Sequence, residues 1–134
     1  MSVDERAPLA GLDDRAARVV RRARDHAEAW RSPVIGPEHL LLALLPAGAA
    51  EVVRADLVPG PQPSPPHLPF SAEAGAATVR AADEARRLGD DRIGRDHLLL
   101  GVLRAGDDPA VRRLAAAGVD YASAYAEIVR RRAG

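Results

Sequence analysis

Two carboxylates, each followed directly by a histidine, are the residues of this sequence best placed to do chemistry. Glu38-His39 stands within Ile35-Gly36-Pro37-Glu38-His39-Leu40-Leu41-Leu42. Asp96-His97 stands within Ile93-Gly94-Arg95-Asp96-His97-Leu98-Leu99-Leu100. In both, glycine closes an irregular stretch and the leucines lie inside a helix, which puts the acid in a first helical turn. A carboxylate there meets unsatisfied N–H groups and the positive end of the helix dipole. Helix stabilisation of ~0.3–1 kcal/mol is the simpler account of such an acid. The other is binding: a carboxylate takes a guanidinium through two hydrogen bonds, and the free N–H groups beside it suit an anion. A pseudo-twofold arrangement of the two segments would bring both helix starts to one surface.

Other chemistries have little support. There is no cysteine, so thiol catalysis and disulfides are excluded, and all 19 basic residues are arginine, so no lysine serves as base or Schiff-base amine. His26 and His67 stand apart from the repeated motif. No HExxH occurs, and a histidine at the third position of a helix is foremost a hydrogen-bonding or packing residue, so neither a metal nor a cofactor is expected. The serines sit in no GxSxG elbow, and neither a phosphate-binding GxxxxGK[ST] loop nor GxGxxG is present. Binding without catalysis is the expectation.

The elements that must position these acids are helices. The motif recurs at an offset of 58 residues (35 to 93), and the register holds outside it: Leu12 falls on Phe70, Ala16 on Ala74, Ala27 on Ala85 and Ala47-Gly48 on Ala105-Gly106. A match this long marks a duplication. In the first copy, Ala16, Val19, Val20, Ala23, Ala27 and Trp30 form an apolar stripe, with Asp13 or Asp14 as its cap. In the second, Ser71 caps a stripe of Ala74, Ala77, Thr78, Ala81, Ala85 and Leu88, and Gly89 stops it. The motif helices follow, then a third helix over 49–57 in copy one and 109–117 in copy two. Only copy two continues into a fourth helix, over 120–132. Copy one runs instead into residues 58–69, where six prolines in twelve residues demand an extended linker. The expected fold is therefore all-α, about seven helices in one compact orthogonal bundle. Repeat one spans about 12–57 and is truncated; repeat two spans about 70–132.

Bulk composition agrees with a binding module. The 134 residues suffice for one domain, and 19 acids balance the 19 arginines, so no global field draws the chain to nucleic acid or a membrane. With 3% aromatic residues there is little surface for stacking bases. The N-terminus lacks the apolar core of a secretory signal, and no apolar run approaches the ~20 residues of a membrane span. A cytoplasmic location is the expectation.

The duplicated I-G-x-[ED]-H-L-L-L segment, with its flanking register and the Ala-Gly pair downstream, resembles the Clp N-terminal repeat domain over about residues 11–132. The resemblance implies two pseudo-symmetric four-helix repeats without catalytic activity, receiving client proteins, adaptors or small-molecule ligands for a Clp unfoldase in regulated proteolysis. It implies a stand-alone or excised module here, since no ATPase domain follows. In some members of that family the acid before the repeat histidine binds the guanidinium of phosphoarginine, a role that maps onto Glu38 and Asp96. The residue before each acid is typically threonine in those members; here Pro37 removes a donor and Arg95 adds a cation. The aromatic that opens each repeat, part of a hydrophobic ligand surface in some members, maps onto Phe70 and, in copy one, onto Leu12. A small-molecule sequestering protein and a structural docking partner of an unfoldase are the alternative functions.

Overall fold

A computed structural model describes residues 11–133; the N-terminal segment in which a secretory signal was sought, and Gly134, lie outside the described residues. The described residues form seven helices in the order α1 (Asp14–Ala29), α2 (Pro37–Leu44), α3 (Ala47–Arg54), α4 (Ala72–Arg87), α5 (Arg95–Leu103), α6 (Pro109–Ala116) and α7 (Tyr121–Ala133).

The two long helices begin as their sequences require. The Asp13 carboxylate accepts from the Ala16 N–H at 2.8 Å, and the Ser71 hydroxyl oxygen accepts from the Ala74 N–H at 3.0 Å. Each thereby satisfies one of the orphan donors of its first turn. Their alanine-rich stripes are buried: Ala16, Ala23 and Ala27 on α1, and Ala74, Ala77, Ala81 and Ala85 on α4. Such small side chains let a second helix come close. On α5 the approach is closest at Gly101, where an added Cβ would stand 2.4 Å from the Ala77 carbonyl oxygen. Any larger residue would force the α4–α5 pair apart.

The motif helices α2 and α5 are apolar on nearly every side and so belong in the interior. Leu40, Leu41, Leu98 and Leu100 are fully buried. Truncating any one of them to alanine should cost ~2–5 kcal/mol. Helix α2 packs on α1 and α5 on α4; α2 meets α5 across the centre, and α3 meets α6. Their buried valines, Val53 and Val111, occupy equivalent positions in the two copies. The third helix of copy one begins at Ala47 and ends at Arg54, earlier than its sequence suggested. Pro46 is its N-cap, and proline there starts a new helix directly after α2.

The copies are not two independent lobes. Leu12, which opens copy one, makes a parallel bridge with Ile93 of the copy-two motif, and Phe70, which opens copy two, bridges Ile35 of the copy-one motif. The hydrogen bonds repeat with the same symmetry. Asp13 N–H donates to the Ile93 carbonyl (2.9 Å) and Ile93 N–H to that of Gly11 (2.7 Å). Likewise Ser71 N–H donates to Ile35 (2.9 Å) and Ile35 N–H to Pro69 (2.8 Å). Nothing in the helical periodicity foretells this crossing.

The proline segment takes over part of the missing fourth helix's work. Its Gly60 N–H donates to the Trp30 carbonyl at the end of α1 (2.9 Å), and Ser64 Oγ donates to the Ser32 carbonyl (2.6 Å). Pro66 accepts from Arg24 (3.0 Å). In copy two, Arg132 of α7 donates to Leu88, the counterpart of Trp30, at 3.2 Å.

Candidate functional site

Each motif histidine holds its own helix start. The Gly36 N–H donates to His39 Nδ1 (2.9 Å), and the Gly94 N–H donates to His97 Nδ1 (2.7 Å). The histidine thus reaches back from the third helical position to the N-cap, the part a glutamate or glutamine plays in a capping box. An accepting Nδ1 is unprotonated, so the ring's hydrogen in its neutral form sits on Nε2. His39 is buried, and burial lowers its pKa to about 4. His97 Nε2 meets Asp90 Oδ2 at 2.8 Å. Among the described residues no group of histidines and acids stands close enough to hold a metal ion.

With their starts fixed, the two acids point into two clefts that share no residue. Glu38 lines one with Val34, Gly36, Pro37, Ser71 and Glu73, closed on the far side by Asp107 and Asp108. Asp96 lines the other with Asp13, Arg15, Arg92, Gly94 and Arg95. Every one of the six residues first named in the Glu38 cleft has its repeat counterpart in the Asp96 cleft. They are therefore symmetric half-sites, held separately. Each combines the motif of one copy with the opening of the other, as the crossed bridges dictate.

Their charges differ. Among the described residues four carboxylates line the Glu38 cleft and no cation does. Glu38 is half-buried; that burial first, and then Asp108 and Glu73, push its pKa up, against its own backbone hydrogen bond. The Asp96 cleft mixes acids with Arg15, Arg92, Arg95 and Arg132. There Arg131 approaches Asp96 at 3.5 Å and Arg132 binds Asp90 at 2.8 Å, both from α7. Arg132 is the main cause, with His97 second, that holds the Asp90 carboxyl below its ordinary range. The divergence at the paired positions arises at four of them, Glu73 for Arg15, Ser71 for Asp13, Val34 for Arg92 and Pro37 for Arg95.

The opening residues do not play equal parts. Leu12 is 8% exposed and belongs to the core, whereas Phe70 is half-buried and packs against it. A leucine at position 12 leaves little apolar surface on the Asp96 side.

One residue of consequence looked like surface charge in the sequence. Glu84 is fully buried on α4, where Tyr121 donates to it at 2.9 Å and Arg104 at 3.2 Å. This ties the start of α7 to α4. The signal was its spacing, since Glu84 falls three residues after Ala81 on the buried stripe. Its counterpart in copy one is His26, where no fourth helix follows.

Comparison with known proteins agrees with this geometry. The family model of the Clp repeat (R) N-terminal domain matches residues 46–117. A ClpA homolog of Porphyra purpurea, described as an ATP-dependent Clp protease ATP-binding subunit, is 29% identical over 133 residues. The chloroplastic chaperone protein ClpC1 of Oryza sativa subsp. japonica is 28% identical over 142 residues. These alignments take in 87% and 93% of this chain but only 16% of either relative. The Hsp104 N-terminal domain of Candida albicans superposes with a TM-score of 0.74 at 21% identity, covering 90% of this chain and 91% of that one. The N-terminal domain of the caseinolytic protease-associated chaperone ClpD of Arabidopsis thaliana gives 0.72 at 21% identity, covering 92% and 96%.

Proposed function

Since the chain belongs to the Clp repeat N-terminal domain family, we propose that residues 12–132 act as one non-catalytic receiving domain that binds a protein ligand in regulated proteolysis. The ligand is a client or an adaptor, and it offers an arginine or lysine side chain to the Glu38 half-site. The observation that carries this reading is the lining of that cleft: Glu38, Glu73, Asp107 and Asp108 converge without a cation among them. A guanidinium placed there exchanges water for charge-assisted hydrogen bonds, and the half-buried setting of Glu38 strengthens them. Phe70, bridged to Ile35 at the edge of the same half-site, offers apolar contact for the stem of the incoming side chain. The Asp96 half-site is electrically balanced and already engaged by Arg131, so it contributes less to a simple cation.

A fluorescently labelled arginine peptide and its citrulline counterpart test this by anisotropy. The arginine peptide should bind the tighter of the two. Glu38→Gln should weaken it about tenfold, the equivalent of one charge-assisted hydrogen bond, and Asp96→Asn should weaken it less than about twofold. Because its pKa is raised, Glu38 loses its charge at a higher pH than a free carboxylate, so binding should fall in mild acid. Equal losses in both variants, or none in Glu38→Gln, would overturn the reading.

A further inference from the structure

The arginines of this molecule are unevenly satisfied. Most of those described bind a carboxylate or a backbone carbonyl of the chain, such as Arg104 with Glu84 or Arg80 with Gly101. Arg15, Arg18, Arg21, Arg22, Arg31 and Arg112 pair with no acid or carbonyl of the described residues, and four of these six lie on the first nine residues of α1. Arg15, Arg18 and Arg22 turn one face toward α2 and α5. With Arg95 they line a cleft of about 240 Å³ whose remaining walls are Val19 and Ala43. Among the described residues no carboxylate lines it. Arg95 is held in place by donating to the Leu44 carbonyl at 2.6 Å.

Local stability does not account for this arrangement, because it works against it. Like charges at spacings of three and four on one helix face repel. Arg15 lies in the first turn of α1, and Arg95 is the first residue of α5. Both set a cation at the positive end of a helix dipole, where an acid is favoured. The repeat supplies a built-in control. At the equivalent positions the other copy carries Glu73, an acid in the first turn of α4, and Pro37, a proline at the first position of α2. Those are the residue types that helix starts prefer.

We infer that the cleft of Arg15, Arg18, Arg22 and Arg95 docks an acidic segment of a partner protein in extended conformation. The dimensions fit that occupant. Along the axis of α1, Arg15 and Arg18 are about 4.5 Å apart and Arg18 and Arg22 about 6 Å. Alternate side chains of an extended chain are about 6.8 Å apart, so acids at every second position meet successive guanidinium groups. The apolar floor of Val19 and Ala43 lowers the local dielectric and strengthens these bonds. Nucleic acid is the poorer fit, since Asp25 and Glu28 bound the arginine face one turn on and no aromatic side chain lines the cleft for stacking. This surface is distinct from the Glu38 cleft, and its test does not depend on that reading.

The probe is a labelled decapeptide of alternating glutamate and serine, with the glutamine–serine peptide as control and an equally charged single-stranded oligonucleotide as competitor. Anisotropy should show the glutamate peptide binding, with affinity falling as salt rises. Arg18→Glu/Arg22→Glu should weaken it at least about tenfold, while Arg86→Glu, on the exposed face of α4, should leave it unchanged. Arg15→Glu separates docking from folding: it should lose affinity yet melt at a higher temperature, because it removes the unfavourable cation from the start of α1. The inference is overturned if the glutamine peptide binds equally well, if the double variant retains full affinity, or if the oligonucleotide binds the tighter.

Discussion

The Glu38 and Asp96 half-sites share a backbone plan and differ in charge. In both, a glycine N-cap donates to a histidine three residues beyond it on the helix, and the opening segment of the other copy forms one wall. At three of the shared positions one half-site has Arg15, Arg92 and Arg95 where the other has Glu73, Val34 and Pro37. Copy two also adds α7, whose Arg131 and Arg132 cover the Asp96 side. The lesson is that the elements serving the fold were kept in duplicate, while the side chains facing solvent were free to diverge. The histidines therefore read as scaffold, and the cleft walls carry the charge difference.

The largest expected break in this comparison is at the position where copy two anchors its extra helix. Glu84→Ala leaves Arg104 and the Tyr121 hydroxyl without their buried acceptor and should cost about 3 kcal/mol, with loss of hydrogen-exchange protection in α7. Its counterpart His26→Ala, half-buried and without such partners, should cost less than about 1 kcal/mol. If denaturant melts show equal costs, α7 is held by Ile128 and not by the Glu84 network.

Acid should act on the copy-one motif through His39. With its pKa at about 4 instead of 6.5, the unfolded chain binds a proton across that interval and the folded chain does not. Stability should therefore fall as pH drops through this window, on the order of 3 kcal/mol over the whole of it. His39→Gln keeps an acceptor for the Gly36 N–H without a titrating ring. Its pH slope between 6.5 and 4 should be shallower than that of the parent, and parallel slopes would remove His39 as the source.

The smallest effect sharpens the symmetry. Gly89 ends α4 with φ 75°, and its counterpart Arg31 adopts φ 55° in the same left-handed region. Glycine enters that region freely and arginine does not. Arg31→Gly should therefore stabilise the protein by about 1 kcal/mol, and Gly89→Ala should destabilise it by a similar amount, both read from melting temperature.

Much of this was legible in the sequence because it is local. The caps at Asp13 and Ser71, the two apolar stripes, the glycine stop after α4 and the proline stretch each declare themselves within a turn or two of chain. The exchange of opening segments was hidden, since which strand of residues pairs with which is decided by tertiary packing and leaves no periodic trace. For the same reason, the two acids could be placed at helix starts but not assigned to separate clefts. Leu12 reads as the weaker twin of Phe70, and only the structure shows it inside the core. Glu84 was missed because a charged residue among arginines looks solvated, although its place on the buried stripe argued otherwise.

The exchanged openings also set an order of events during synthesis. Phe70 finds Ile35 already made, yet the Glu38 half-site stays open on its far side until Asp107 and Asp108 follow. Leu12 has no partner until Ile93 has left the ribosome, which holds the start of α1 and the arginine cleft beside it unfinished through most of translation. The arginine cleft, whose last member is Arg95, is thus complete before the acidic one, which waits for Asp107 and Asp108. Truncation after the proline segment should leave neither.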